Sequence, residues 1–102
     1  MTNPMIAGLP PVHPGDVLRE DVLPASGLSK SAFARRVGMS REALHNVLSG
    51  KSAVSTLLAL KLAKLLGTTP ELWLNMQQAF DLATIDAETR AKIEQGEALE
   101  AA

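Results

Sequence analysis

The apolar residues between positions 28 and 51 follow the spacing of two short helices separated by one tight turn. Six of them are predicted to face inward, three on each helix: Phe33, Ala34 and Val37, then Leu44, Val47 and Leu48. Ser29 and Ser40 suit the two helix starts, because a serine hydroxyl accepts from the backbone N–H groups left free there. Gly38 suits the turn, since glycine adopts positive φ without strain. The pattern predicts a helix-turn-helix unit.

A further helix is predicted upstream of this unit and begins at residues 13–16, His-Pro-Gly-Asp. Proline tolerates the first helical position because its missing N–H would have no partner there, and Asp16 in the first turn favours the helix dipole. Pro24 is expected to end this helix, since the residue before a proline avoids helical geometry. For His13 we favour capping or packing over a catalytic or metal-binding role, because no cluster with metal-ligand spacing accompanies it.

Two longer helices are predicted downstream. The segment from Thr56 to Leu66 is apolar nearly all round, which is typical of a central helix. The segment from Pro70 to about Leu82 carries one broad apolar stripe, formed by Leu72, Trp73, Met76, Ala79 and Phe80. Trp73 is expected to fill the core, and the rest of the stripe serves either the core or a dimer surface. Beyond it, the sequence predicts either a short helix around Ala87 to Gln95 or a mobile acidic tail.

Positive charge is concentrated on the helix-turn-helix unit. Residues 29–51 hold five basic residues against one acidic residue, a net charge of +4, although the whole chain has a net charge of −1. The two flanking parts are therefore acidic. A compact positive patch on such a chain indicates binding to one DNA site through a local surface, with an affinity that falls as salt rises.

Outward positions on the second helix of the unit are predicted to read DNA bases, because the N-terminal half of such a helix enters the major groove. These positions are Arg41, Glu42, His45 and Asn46. A guanidinium bonds guanine O6 and N7, and an amide bonds adenine N6 and N7; Glu42 either accepts from cytosine N4 or only stabilises the helix start. The predicted phosphate contacts are Lys30, Ser40, Ser49 and Lys51. Arg35 and Arg36 fit ordinary surface charge equally well.

The sequence does not support an enzyme. It contains no glycine-rich phosphate loop, no cysteine, no paired histidines and no Ser/His/Asp constellation. We therefore expect no catalytic residues, no metal site and no cofactor. The lack of a long apolar run and of a signal-peptide pattern predicts a cytoplasmic protein without membrane contact.

Three segments together resemble a known family. HPGDVL at 13–18, LSKSAFARRVGMSREALHNVLSGK at 28–51 and LALKLAKLLGTTPELWLNMQQAFDL at 58–82 are similar, in order and spacing, to the HigA/VapI-type antitoxins of bacterial toxin–antitoxin modules. The middle segment alone resembles the wider Xre/Cro repressor superfamily. The family often has Tyr at the position of Phe80 and Glu at that of Asp16, and neither difference affects the expected fold.

The resemblance implies an all-α, Xre/Cro-like (lambda repressor-like) helix-turn-helix domain of about five helices over residues 13–82. A flexible arm over 1–12 and an acidic helix or tail over 83–102 flank it. The resemblance also implies an antitoxin that binds a small co-encoded HigB-like toxin, which cleaves mRNA, and that represses its own operon as a homodimer on a palindromic double-stranded DNA operator. A stand-alone Xre-family repressor would use the same motif. The arm, the first helix and the acidic C-terminal part are all candidates for toxin contact.

Overall fold

Residues 10–99 are described by a computed structural model, and every regular element in this part of the chain is helical. The first helix, α1, is continuous and has three successive parts: Pro14–Val17, Leu18–Val22 and Leu23–Ser26. The others are α2 (Lys30–Val37), α3 (Arg41–Leu48), α4 (Thr56–Leu66), α5 (Pro70–Ala83) and α6 (Ala87–Glu94). The all-α prediction is confirmed. The predicted arm falls largely outside the described residues.

Helix α1 continues past Pro24, so the prediction that this proline ends the helix was wrong. The middle part, Leu18–Val22, is π-helical, and the N–H of Leu23 donates to the carbonyl of Leu18, five residues earlier. Proline lacks an N–H, and its ring crowds the preceding turn of an α-helix. The wider π turn accommodates that ring. The helix therefore runs on until Gly27, at φ 71°, ends it.

The core lies where the first five helices meet. Its fully buried large side chains include Leu18, Phe33, Leu44, Leu62 and Trp73. All six inward positions predicted for α2 and α3 are buried, which confirms the helix-turn-helix pattern. Trp73 fills the core as expected, and its indole N–H donates to Thr68 Oγ1 at 2.8 Å. The recognition unit thus rests on a packed support.

The apolar faces of α4 and α5 are only partly buried. On α4, Leu57 and Leu60 are 62% and 52% exposed, because this helix packs against α2 and α5 on its inner side only. On α5, Leu72 is 44% exposed and Ala79 is also exposed, so the predicted stripe does not all enter the core. The buried neighbour of Trp73 on α5 is the polar Gln77, which the apolar pattern missed.

Helix α6 has no buried side chain. Asp86 caps its start by accepting from the hydroxyl of Thr89 at 2.7 Å and from its backbone N–H at 2.8 Å, and these two bonds hold the pKa of Asp86 below its usual range. The short helix that the sequence allowed here is therefore present. Within residues 10–99, none of the helices has the length and apolar character needed to cross a bilayer.

Candidate nucleic-acid interface

Helix α3 presents the predicted base-reading residues to solvent. Its inner face is buried, which leaves Arg41, Glu42 and His45 exposed and Asn46 half-buried. The hydroxyl of Ser40 caps the helix by accepting from the backbone N–H of Ala43 at 3.0 Å. A hydroxyl has one proton besides its lone pairs, so this cap leaves Ser40 able to donate to a phosphate oxygen.

Five of the eight predicted contact residues line two grooves. Lys30, at the start of α2, lines the first groove together with Arg41, Glu42 and His45 of α3. Asn46 lines a different groove, which is shared with residues that follow α3 in the chain. Residues of α2, of α3 and of the loop after α3 therefore line the exposed side of α3.

The loop over residues 49–55 carries the other predicted phosphate contacts, Ser49 and Lys51, and both are exposed. The carbonyl oxygen of Asn46 accepts from the N–H groups of Lys51 at 2.9 Å and Ser52 at 3.0 Å. It also accepts from the hydroxyl of Ser49 at 3.2 Å. A phosphate contact by the Ser49 proton therefore requires this hydroxyl to turn away from its internal partner, whereas the Lys51 ammonium extends from an anchored backbone.

Helix α1 holds α3 from the core side. Gly15 approaches α3 so closely that a Cβ built on it would stand 1.9 Å from the carbonyl oxygen of Val47. Arg19 donates from Nη1 to the carbonyl oxygen of Leu48 at 2.7 Å, which satisfies one of the free carbonyls at the end of α3. Ion pairs of 3.2 Å to Asp16 and 3.1 Å to Glu20 steady this guanidinium, and the hydrogen bond to Glu20 contributes most to raising the pKa of Arg19.

His13 supports the same contact from the N-terminal end of α1. It is 3% exposed, and its Nδ1 accepts from the N–H of Gly15 at 2.9 Å. Its ring meets Phe80 of α5 edge to face, with 5.1 Å between ring centroids. The predicted capping and packing role of His13 is confirmed. The α1 contact with α3 was not visible in the sequence, because residues distant in the chain form it.

Basic residues of α4 extend the positive surface beyond the predicted segment. Lys61 donates from Nζ to the carbonyl oxygen of Gly38 in the turn at 3.2 Å, and it borders the groove of Asn46. A further groove brings Arg36, Lys61 and Lys64 together, with no acidic residue among its described lining. Both lysines belong to the acidic part of the chain that follows residue 51. The fold nevertheless places Lys61 beside the turn at Gly38.

Known proteins are similar to this chain in both sequence and fold. Residues 18–73 match the helix-turn-helix family HTH_3. Antitoxin HigA-1 of Vibrio cholerae is 39% identical over 72 residues, which cover 71% of this chain and 68% of the Vibrio protein. The solved structure of antitoxin GraA in complex with its operator has a TM-score of 0.79 and 38% identity, over 99% of both chains. An addiction module antidote protein of a HigA family from Coxiella burnetii has a TM-score of 0.78 and 32% identity, over 88% of this chain and 98% of that one.

Proposed function

We propose, from the premise that this chain belongs to the HigA-type antitoxins of the helix-turn-helix family, that it neutralises a small HigB-like toxin and represses its own operon. The observation that carries the proposal is the polar, cation-flanked surface of α3, in a chain similar over 99% of its length to an antitoxin solved with its operator. The protein acts in the cytoplasm, without catalytic residues or a cofactor.

In this function α3 enters the major groove of the operator. Arg41 and Asn46 are suited to bidentate contacts with guanine and adenine, and Glu42 and His45 lie beside them on the same surface. Lys30 and Lys51 lie on opposite sides of these residues along the chain, where they contact the phosphate backbone together with Ser40 and Ser49. Phosphate contacts then position the domain, and the α3 side chains select the sequence.

A homodimer is supported by the outer face of α5. Four apolar residues recur there at 4-3-4 spacing: Leu72, Met76, Ala79 and Ala83. We name them the α5 seam. Leu72, Ala79 and Ala83 are exposed and Met76 is half-buried, although this spacing is that of a helix-pairing surface. A twofold axis sets two such seams against each other, and the same symmetry matches a palindromic operator.

Replacing Arg41 or Asn46 by alanine is expected to remove discrimination at one base position, worth about 1–3 kcal/mol. Lys51→Ala is expected to weaken binding to all sequences alike and to reduce the slope of log affinity against log salt by about one. Fluorescence anisotropy with a duplex from the protein's own promoter, and with its single-base variants, measures both effects. Lys92→Ala is the control, because Lys92 pairs with Glu88 on α6, outside the proposed interface. Unchanged base preference in both the Arg41 and Asn46 variants would contradict the placement of α3.

The antitoxin function is tested by expressing the small reading frame beside this gene with and without this chain. Expressed alone, the neighbour is expected to arrest growth; with this chain present, growth returns and the neighbour co-purifies through a tag on this chain only. A double variant, Arg41→Ala with Lys51→Ala, is expected to lose promoter binding and still restore growth, because both residues lie outside the arm, the first helix and the acidic C-terminal part, which are the candidates for toxin contact. If the product of the neighbouring reading frame neither arrests growth nor co-purifies, this chain is a stand-alone Xre-family repressor.

A further inference from the structure

Gln77 of α5 is a buried polar residue whose two hydrogen bonds join α5 to the loop after α3. Its side chain is 6% exposed. The Oε1 atom accepts from the backbone N–H of Val54 at 2.8 Å, and Nε2 donates to Oδ1 of Asp81 at 2.9 Å. The orientation of the amide follows from its partners, since a backbone N–H needs an acceptor and a carboxylate needs a donor.

The loop between α3 and α4 is therefore held at two points. At its start, the carbonyl of Asn46 binds the N–H groups of Lys51 and Ser52. Near its end, Gln77 binds the N–H of Val54, whose side chain is buried in the core. A buried N–H that loses its partner must be rehydrated, so without the second anchor the loop would move outward to reach water. Such a movement would displace Lys51, which lies three residues from Val54.

We propose that Gln77 is a positioning residue for operator binding, which fixes the loop of residues 51–54 so that Lys51 meets the phosphate backbone. The inference rests on the proposed DNA-binding function. In it, Gln77 touches no DNA and acts through the backbone of Val54, while Asp81 fixes the side-chain amide of Gln77. Gln77 also links the loop of residues 51–54 to α5, the helix that carries the α5 seam.

The first test is a double-mutant cycle in the full chain. Gln77→Leu keeps a similar volume but offers no acceptor, and it is expected to bind the promoter duplex about tenfold more weakly, with faster hydrogen exchange at the Val54 amide. Adding Lys51→Ala to Gln77→Leu is expected to cost little more, because the contact of Lys51 is already lost. If the two losses multiply instead, Gln77 does not act through the loop, and the inference is overturned. A general loss of stability would not produce this coupling.

The second test reverses the polarity of the Gln77 and Asp81 pair. Gln77→Glu alone sets a carboxylate against Asp81 and is expected to weaken binding. Gln77→Glu with Asp81→Asn is expected to restore affinity to within about twofold, because the new carboxylate accepts from both Val54 and the new amide. Asp81→Asn alone is the matched control, since its amide oxygen still accepts from Gln77. Failure of the reversed pair to restore binding in a folded protein overturns the inference.

These outcomes separate the inference from the proposed function. If the unmodified chain does not bind the promoter duplex, DNA binding itself fails. If the unmodified chain binds and Gln77→Leu binds equally well, only the role of Gln77 fails. Thermal unfolding of each variant establishes the folded fraction, and the Gln77→Glu variant and the reversed pair decide the matter if Gln77→Leu does not fold.

Discussion

Gly15→Ala is expected to lower the free energy of unfolding by about 3 kcal/mol or more. The added methyl group would stand 1.9 Å from the carbonyl oxygen of Val47, a backbone atom within α3 that has no room to move without displacing the recognition helix. Helix propensity alone predicts the opposite sign, since alanine favours a helix over glycine by about 1 kcal/mol. Urea unfolding followed by circular dichroism gives the sign and the magnitude.

Gly27→Ala is the matched control for this prediction. A methyl group at Gly27 meets no atom within 4 Å, but the residue has φ 71°, so the expected cost is only about 1–2 kcal/mol of backbone strain. The folded Gly27 variant is expected to bind the promoter duplex normally, because the contact between α1 and α3 is intact. If the Gly15 variant were as stable as the unmodified protein, α1 would not approach α3 as closely as the structure describes.

Ala79→Glu is expected to prevent dimer formation and to lower promoter affinity by about 100-fold or more. Ala79 lies in the α5 seam, and in a twofold pair the same substitution enters the interface from both copies. Two carboxylates would then lose water together with no positive partner, at a cost of several kcal/mol. Sedimentation equilibrium measures the association, and titration of the promoter duplex measures the affinity.

Gln78→Glu provides the control, because it adds the same charge one residue away at an exposed position outside the α5 seam. This variant is expected to remain dimeric. Both variants are expected to keep the thermal stability of the isolated domain, since neither side chain is buried in it. If the Ala79→Glu protein stays dimeric, the dimer surface does not lie on the α5 seam. The exposed Leu57 and Leu60 of α4 are then the next candidates.

Local sequence signals predicted those parts of the fold that depend on neighbours in the chain. Helix starts are an example: Ser29 and Ser40 each cap a helix in the structure, because the capping oxygen and its N–H partner are three residues apart. The inward faces of α2 and α3 follow from the helical period alone. The arrangement of Arg41 and His45 around one groove was predictable for the same reason.

Contacts between distant residues were not predictable in this way. Arg19 caps α3 from a helix 29 residues earlier, and Gln77 holds a loop 23 residues earlier, so neither pair leaves a short-range pattern. Pro24 shows a different limit: its local signal was strong, but a π turn accommodated the ring and the helix continued. The DNA contacts of α3 and the α5 seam remain predictions, since they concern molecules outside this chain.

The π-helical part of α1 also decides which deletions this helix can tolerate over evolution. A π turn holds one residue more than an α turn, so a deletion within Leu18–Val22 would leave an ordinary turn there, with the residues on either side still in register. A deletion from an α-helical turn would instead rotate everything before it by about 100° relative to the core. Gly15 and His13 therefore keep their places against α3 and Phe80 only if the deleted residue comes from the π turn. Such a deletion would still destabilise the helix, because the ring of Pro24 would then crowd the preceding turn.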